Sequence, residues 1–180
     1  MTSSSVSASA SELRNPVAAS NAPFRGHASE LLEGGIHVAC MARWPGVLPK
    51  DKVDNRLVMT IDLTASILAA ADLAPPSDRP LDGIDIFGQI AAGRPPVART
   101  LFWRSRRAER TWRAVRDGNL KYVSRNDAGK FDEWLFDLAR DPAEESSLLD
   151  SRPDHVTRLK RLLAAWEHEV QPARKRPASW

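Results

Sequence analysis

The chain has one cysteine, one tyrosine and no long apolar run. A lone cysteine, Cys40, excludes an internal disulfide framework and any multi-cysteine zinc site. A membrane span needs roughly 18 apolar residues in succession, and no stretch approaches that. The N-terminus lacks both the basic and the apolar segments of a secretory leader. These absences predict a soluble chain, cytoplasmic as it stands, with no membrane contact. Charge of one sign is also scarce: 26 Lys and Arg against 23 Asp and Glu leave a net +3. What is present suits a globular chain. With 180 residues, 42% of them apolar, there is material for one domain or a large piece of a bigger one. Thirteen prolines favour short elements joined by loops.

Residues 1–22 are rich in Ser and Ala and read as a flexible lead-in, with at most a short helix over Ala8–Arg14. In Pro23–Pro49 a turn and a short polar piece lead to Gly34-Gly35, a pair that permits φ > 0 or close backbone approach. The apolar run Ile36–Trp44 that follows, closed by Pro45-Gly46, predicts a buried strand and with it a buried, inert Cys40. Such a strand belongs inside a parallel sheet. From Thr60 the period becomes helical over 61–73, with Thr60 or Asp62 to cap it and Pro75-Pro76 to end it. Ile86, Phe87 and Ile90 predict one short helix ending at Gly93, and 93–99 reads as a linker. After Thr100 come runs of strand character at 101–104, 111–116, 119–124 and 133–138, with Asp117-Gly118 as a hairpin turn. Val156, Leu159, Leu162, Leu163, Trp166 and Val170 then fall on one stripe of a helix over 153–170, whose apolar face rests on the sheet. The tail 171–180 reads as loose.

The motifs go further than the periodicities. R-G-x-x-x-x-L-x-E-G-G-I-x-V over Arg25–Val38, followed by R-W-P-G at Arg43–Gly46, resembles a segment of the formylglycine-dependent sulfatases. So do I-D-L-x-x-x-I-L-x-x-A (61–71), L-D-G-I-D (81–85), R-A-V-R-D-G-N-L-K-Y-V (113–123) and L-F-D-L-A-R-D-P-A-E-E-S-S-L (135–148). In the last of these Ser147 stands where Asn is usual. All occur in family order across roughly residues 22–170. The resemblance implies an α/β fold, α+β locally: the C-terminal end of an alkaline-phosphatase-like sulfatase domain over 23–95, then a small antiparallel sheet packed by a C-terminal helix over 99–170.

It also implies chemistry against which this chain can be checked. Sulfatases hydrolyse sulfuric esters with a formylglycine made from the Cys or Ser of C/S-x-P-x-R, aided by a calcium ion. Cys40 precedes Met41-Ala42 and fits no such motif; Asn21–Arg25 has the spacing but begins with asparagine; Ser151–His155 ends in histidine. The sulfate-contacting lysine of the family falls at His27-Ala28-Ser29, where no lysine stands. His27 and Arg25 are the catalytic candidates that remain, and Glu12 the candidate cation ligand; Arg25 and Glu33 are expected to fix loop geometry. His37 reads as structural, and His155 and His168 share no ligand spacing. The expectation is a C-terminal fragment, inactive alone, that holds no cofactor itself. Its expected partner is a complementary N-terminal half, or another copy of the chain.

A second reading stays open. Between Arg94 and Arg125 nine arginines and Lys121 face only Glu109 and Asp117, with Trp103, Trp112 and Tyr122 among them. That is the composition of a polyanion- or nucleic-acid-binding surface, although strand alternation places half of these arginines on a solvated face in any case. Nucleic acid is not the expected partner.

Overall fold

The computed structural model describes residues 21–75, 77–78 and 80–170. The lead-in, its Ala8–Arg14 helix and the tail lie outside that range, apart from the lead-in's last two residues. In chain order the elements are α1 (Glu33–Ile36), α2 (Thr60–Ala70), α3 (Ile86–Ala91), β1 (Thr100–Arg107), β2 (Arg110–Asp117), β3 (Leu120–Asp127), β4 (Lys130–Asp137) and α4 (Pro153–Val170). The described residues divide into two units, one of 21–37 with 100–170, the other within 38–99.

The first unit is built on a four-stranded antiparallel meander in the order β1-β2-β3-β4. Gly118 stands at φ +61 in the β2–β3 turn, and Ala128 and Gly129 at φ +51 and +92 in the β3–β4 turn, the left-handed positions that tight hairpins require. Each strand runs longer than its hydrophobic run, because polar rows continue the ladder: Arg110 pairs with Asp127, and Arg125 with Asp132. Alternation gives the sheet two apolar faces. Val115, Tyr122 and Leu135 meet Val156, Leu159 and Leu163 of α4, with Phe102 stacked on Trp166 at 5.1 Å. Burying each of these large side chains contributes about 1.5–3 kcal/mol. Arg158–Asp117, Lys160–Glu133 and Arg113–Glu167 ion pairs frame the contact. On the opposite face Trp112, Ala114, Val123 and Phe136 pack against Leu31 and Leu32. The sheet is therefore covered on both sides, by α4 and by the loop leading into α1.

The second unit is organised by Asp62. Its carboxylate is fully buried and accepts from the Met59 amide at 2.6 Å, the Ile84 amide at 3.0 Å and the Arg99 guanidinium. The N-cap of α2 is thus Met59, with Asp62 closing back on it from inside the first turn. Ser66 Oγ donates to Asp62 O and accepts from the Ile86 amide, which ties α3 to α2.

The Ile36–Trp44 run does not form a buried strand. Ile36 ends α1, Val38 and Met41 are 73% and 96% exposed, and Cys40 is exposed rather than buried. An extended segment becomes a strand only through a hydrogen-bonded neighbour. Among the described residues the four strands pair among themselves, and none pairs with this segment.

Candidate functional site

Three charged side chains meet beneath the loop that carries E-G-G. Lys121 projects from β3 toward the Leu31–Leu32 side of the sheet and is fully buried. Its Nζ stands 2.7 Å from Glu33 Oε1 and 2.9 Å from Glu144 Oε1. Glu144 Oε2 accepts from the Glu33 amide at 2.6 Å, which satisfies one orphan donor at the start of α1. Arg25 donates to the Glu144 carbonyl at 2.9 Å, and Glu33 reaches His37 Nδ1 at 3.4 Å. Burial pushes the Glu144 carboxyl above the usual carboxylate range, against the opposing pull of Lys121 and of the Glu33 amide.

The glycines of E-G-G serve close approach rather than positive φ. A Cβ on Gly34 would lie 2.5 Å from Gly26 O, and one on Gly35 would lie 2.2 Å from Glu30 O. Asp141 accepts from the Glu145 and Ser146 amides, at 3.0 and 2.9 Å, and so shapes the D-P-A-E-E turn that presents Glu144 at φ +58. Ser147 Oγ receives the Leu135 and Leu149 amides, both at 3.3 Å. R-G, E-G-G, G-N-L-K and D-P-A-E, scattered along the sequence, contribute to one assembly around the buried Lys121.

Beside this assembly, at the open end of the sheet, lies a cleft of about 290 Å³ between the His27–Glu30 loop and the β1–β2 hairpin. His27 sits on its rim, Nε2 3.6 Å from Glu30 Oε1, with its side chain 75% exposed. Arg110 faces Asp127 at 2.6 Å. Arg25 is not in the cleft. Its guanidinium lies over Trp134 at 5.9 Å and braces the loop, as Arg125 does between Trp112 and Trp134 at 5.5 and 5.7 Å. Glu12 lies outside the described residues, and Cys40 belongs to the other unit.

Among the described residues no three of His, Cys, Asp and Glu are grouped to hold a cation. The two carboxylates that do converge, Glu33 and Glu144, are engaged by Lys121, so this part of the chain does not fit a calcium site. No helix among the described residues is long and apolar enough to cross a membrane. Of the nine arginines between Arg94 and Arg125, five (Arg99, Arg104, Arg110, Arg113 and Arg125) are held in ion pairs, and Trp112 is buried.

Lys121 and Glu144 were not among the residues singled out from sequence. Lys121 alternates like any solvated strand lysine; the signal was its place inside the apolar run Leu120–Val123.

No family model matches the chain. It is similar to N-acetylgalactosamine-6-sulfatase of Sus scrofa, 26% identical over 175 residues, covering 83% of this chain and 34% of the relative. An uncharacterized sulfatase of Schizosaccharomyces pombe is 26% identical over 161 residues, covering 84% of this chain and 28% of the relative. Among solved structures, Ps i-CgsB in complex with k-i-k-neocarrahexaose superposes with a TM-score of 0.69 at 20% identity, covering 84% of this chain and 33% of that one. BT33336S-sulf of Bacteroides thetaiotaomicron does so with a TM-score of 0.66 at 21% identity, covering 81% and 32%. At that identity the structural likeness speaks for the fold alone. The chain spans about a third of the length of these relatives. The motifs, the curated relatives and the fold agree: the chain is similar to the C-terminal portion of sulfatases.

Proposed function

We propose that this polypeptide forms one wall of a sulfuric-ester hydrolase site whose nucleophile and calcium come from upstream sulfatase sequence, in the same or a second chain. The observation that carries this reading is the buried Glu33–Lys121–Glu144 assembly, which fixes the R-G…E-G-G loop against the sheet although the loop itself carries no nucleophile. A loop held this rigidly suits a positioning role, because a reacting group displaced by about 1 Å can lose two orders of magnitude in rate. The C/S-x-P-x-R motif from which formylglycine is made is absent from these 180 residues.

Incubation of the chain with an aryl sulfate and calcium tests the proposal. The expected result is no turnover above the uncatalysed rate; turnover by this chain alone overturns it. A complementary upstream sulfatase half, supplied in trans, is the expected route to activity.

A further inference from the structure

The Glu33–Lys121–Glu144 cluster joins three chain segments through charges that do not balance. Its members come from α1, β3 and the D-P-A-E-E turn, and Lys121 and Glu144 are fully buried. Two carboxylates face one ammonium, and they are not treated alike. Lys121 donates to Glu33 Oε1 at 2.7 Å. Glu144 Oε1, although 2.9 Å from Nζ, is not aligned to receive a hydrogen bond and has no other partner. Glu144 Oε2 is taken up by the Glu33 amide.

The neighbouring charged groups do not supply the missing cation. Arg25 gives its hydrogen bond to the Glu144 carbonyl, not to the carboxylate. His37, exposed just past α1, meets the other oxygen of Glu33, Oε2, at 3.4 Å. Asp141, in the same turn as Glu144, is occupied by the Glu145 and Ser146 amides. A buried carboxyl with one unbonded oxygen, beside a second carboxylate, is an arrangement that retains a proton. Glu144 Oε1 is the atom free to carry it, and desolvation acts in the same direction.

We propose that Glu33, Lys121 and Glu144 form a proton-dependent clasp, closed with one proton on Glu144 and loosened when that proton leaves. Loss of the proton leaves a buried net negative charge, which water relieves once the R-G…E-G-G loop lifts from the sheet. The closed loop holds the proton more tightly than the open one, so a rise in pH favours opening. The opening equilibrium constant should climb about tenfold per pH unit from 4.5, the ordinary value of this carboxyl, and level off above the closed-state value. The same loop borders the His27–Glu30 cleft, so the clasp makes access to that cleft pH-dependent. It acts without any upstream sequence, and it stands or falls separately from the proposed hydrolase role.

Carbon-13 NMR of the glutamate carboxyls, together with hydrogen exchange at the amide of residue 33, tests this in the chain as expressed. In the parent the Glu144 carboxyl should stay protonated above 4.5. Exchange at residue 33, corrected for its intrinsic pH dependence, should accelerate as that proton is lost. Glu144→Gln keeps the shape of the neutral acid, so the acceleration should disappear. Glu33→Gln removes the second carboxylate; it should lower the Glu144 titration and flatten the response, and it serves should E144Q fail to fold. His27→Gln with His37→Gln should leave the response intact. A Glu144 carboxyl that titrates at or below 4.5, or a parent with no acceleration, overturns the clasp. So does an acceleration that survives in E144Q or E33Q, or one that vanishes in the double histidine variant.

Discussion

Lys121 Nζ and Glu33 Oε1 lie 2.7 Å apart, both buried, and 88 residues separate them in sequence. Glu144 completes the group, so two carboxylates share one ammonium and the cluster carries a net negative charge when all three are ionised. Desolvation of such groups is tolerated only while every partner stays in place. The cluster therefore acts as a clasp between the loop and the sheet, and its removal should be felt by the whole unit.

Lys121→Met leaves the two carboxylates facing each other without a cation. A loss of about 3–5 kcal/mol is expected at neutral pH, read from urea denaturation followed by circular dichroism. K121M combined with E33Q and E144Q should recover much of it, because no uncompensated charge remains.

Glu144 and Asp62 predict opposite pH slopes. The Glu144 carboxyl titrates above its ordinary value of 4.5 in the folded chain, so its stabilising contribution is complete below that value and is lost as pH rises through the folded pKa. Asp62 runs the other way. Burial alone would raise it, but the Arg99 guanidinium and the Met59 and Ile84 amides prevail and hold it below 3.8. Its contribution is present above 3.8 and lost as pH falls through the folded pKa. Denaturant midpoints across pH should lose the first slope in Glu144→Gln and the second in Asp62→Asn.

Gly34→Ala places a methyl group 2.5 Å from the Gly26 carbonyl and 2.6 Å from that of Arg25, both backbone atoms with little room to move. A loss of about 1–3 kcal/mol is expected, as for other overpacked sites. An unchanged thermal midpoint would show that the loop can shift freely.

Met41, Ile67 and Val53 are 96%, 60% and 85% exposed in the unit of residues 38–99, and an apolar groove there runs past Trp44, Leu63 and Phe87. The chain expressed alone should self-associate or hold a partner. Met41→Lys with Ile67→Lys should shift sedimentation toward the monomer; a parent chain that is already a cleanly melting monomer contradicts this.

Much of the architecture was legible because it is local. The α4 stripe over 153–170 repeats at helical spacing and needs only a flat apolar face to rest on, and Asp117-Gly118 dictates its own hairpin. The sulfatase motifs were legible as well, but as strings. That Arg25, Glu33, Lys121 and Glu144 are one assembly is a long-range fact that no window of sequence contains. The Ile36–Trp44 run misled for the converse reason: apolar content records what a segment is suited to bury against, and among the described residues no strand pairs with it. His27, a candidate from its place in the R-G…E-G-G loop, lies on the rim of an open cleft, whereas the meeting of Arg107 and Trp112 there depends on cross-strand register, which the sequence does not display.

The division of the chain into a sheet unit interrupted by residues 38–99 has a kinetic consequence. The three hairpins close over turns of a few residues and can form early, whereas Glu33 must find Lys121 across 88 positions, most of them belonging to the other unit. Loop closure of that length is entropically slow to be rewarded. The loop that borders the cleft should thus dock last during folding and detach first under mild denaturation. Amide protons of residues 30–36 should then exchange through a lower-energy opening than those of β2 and β3.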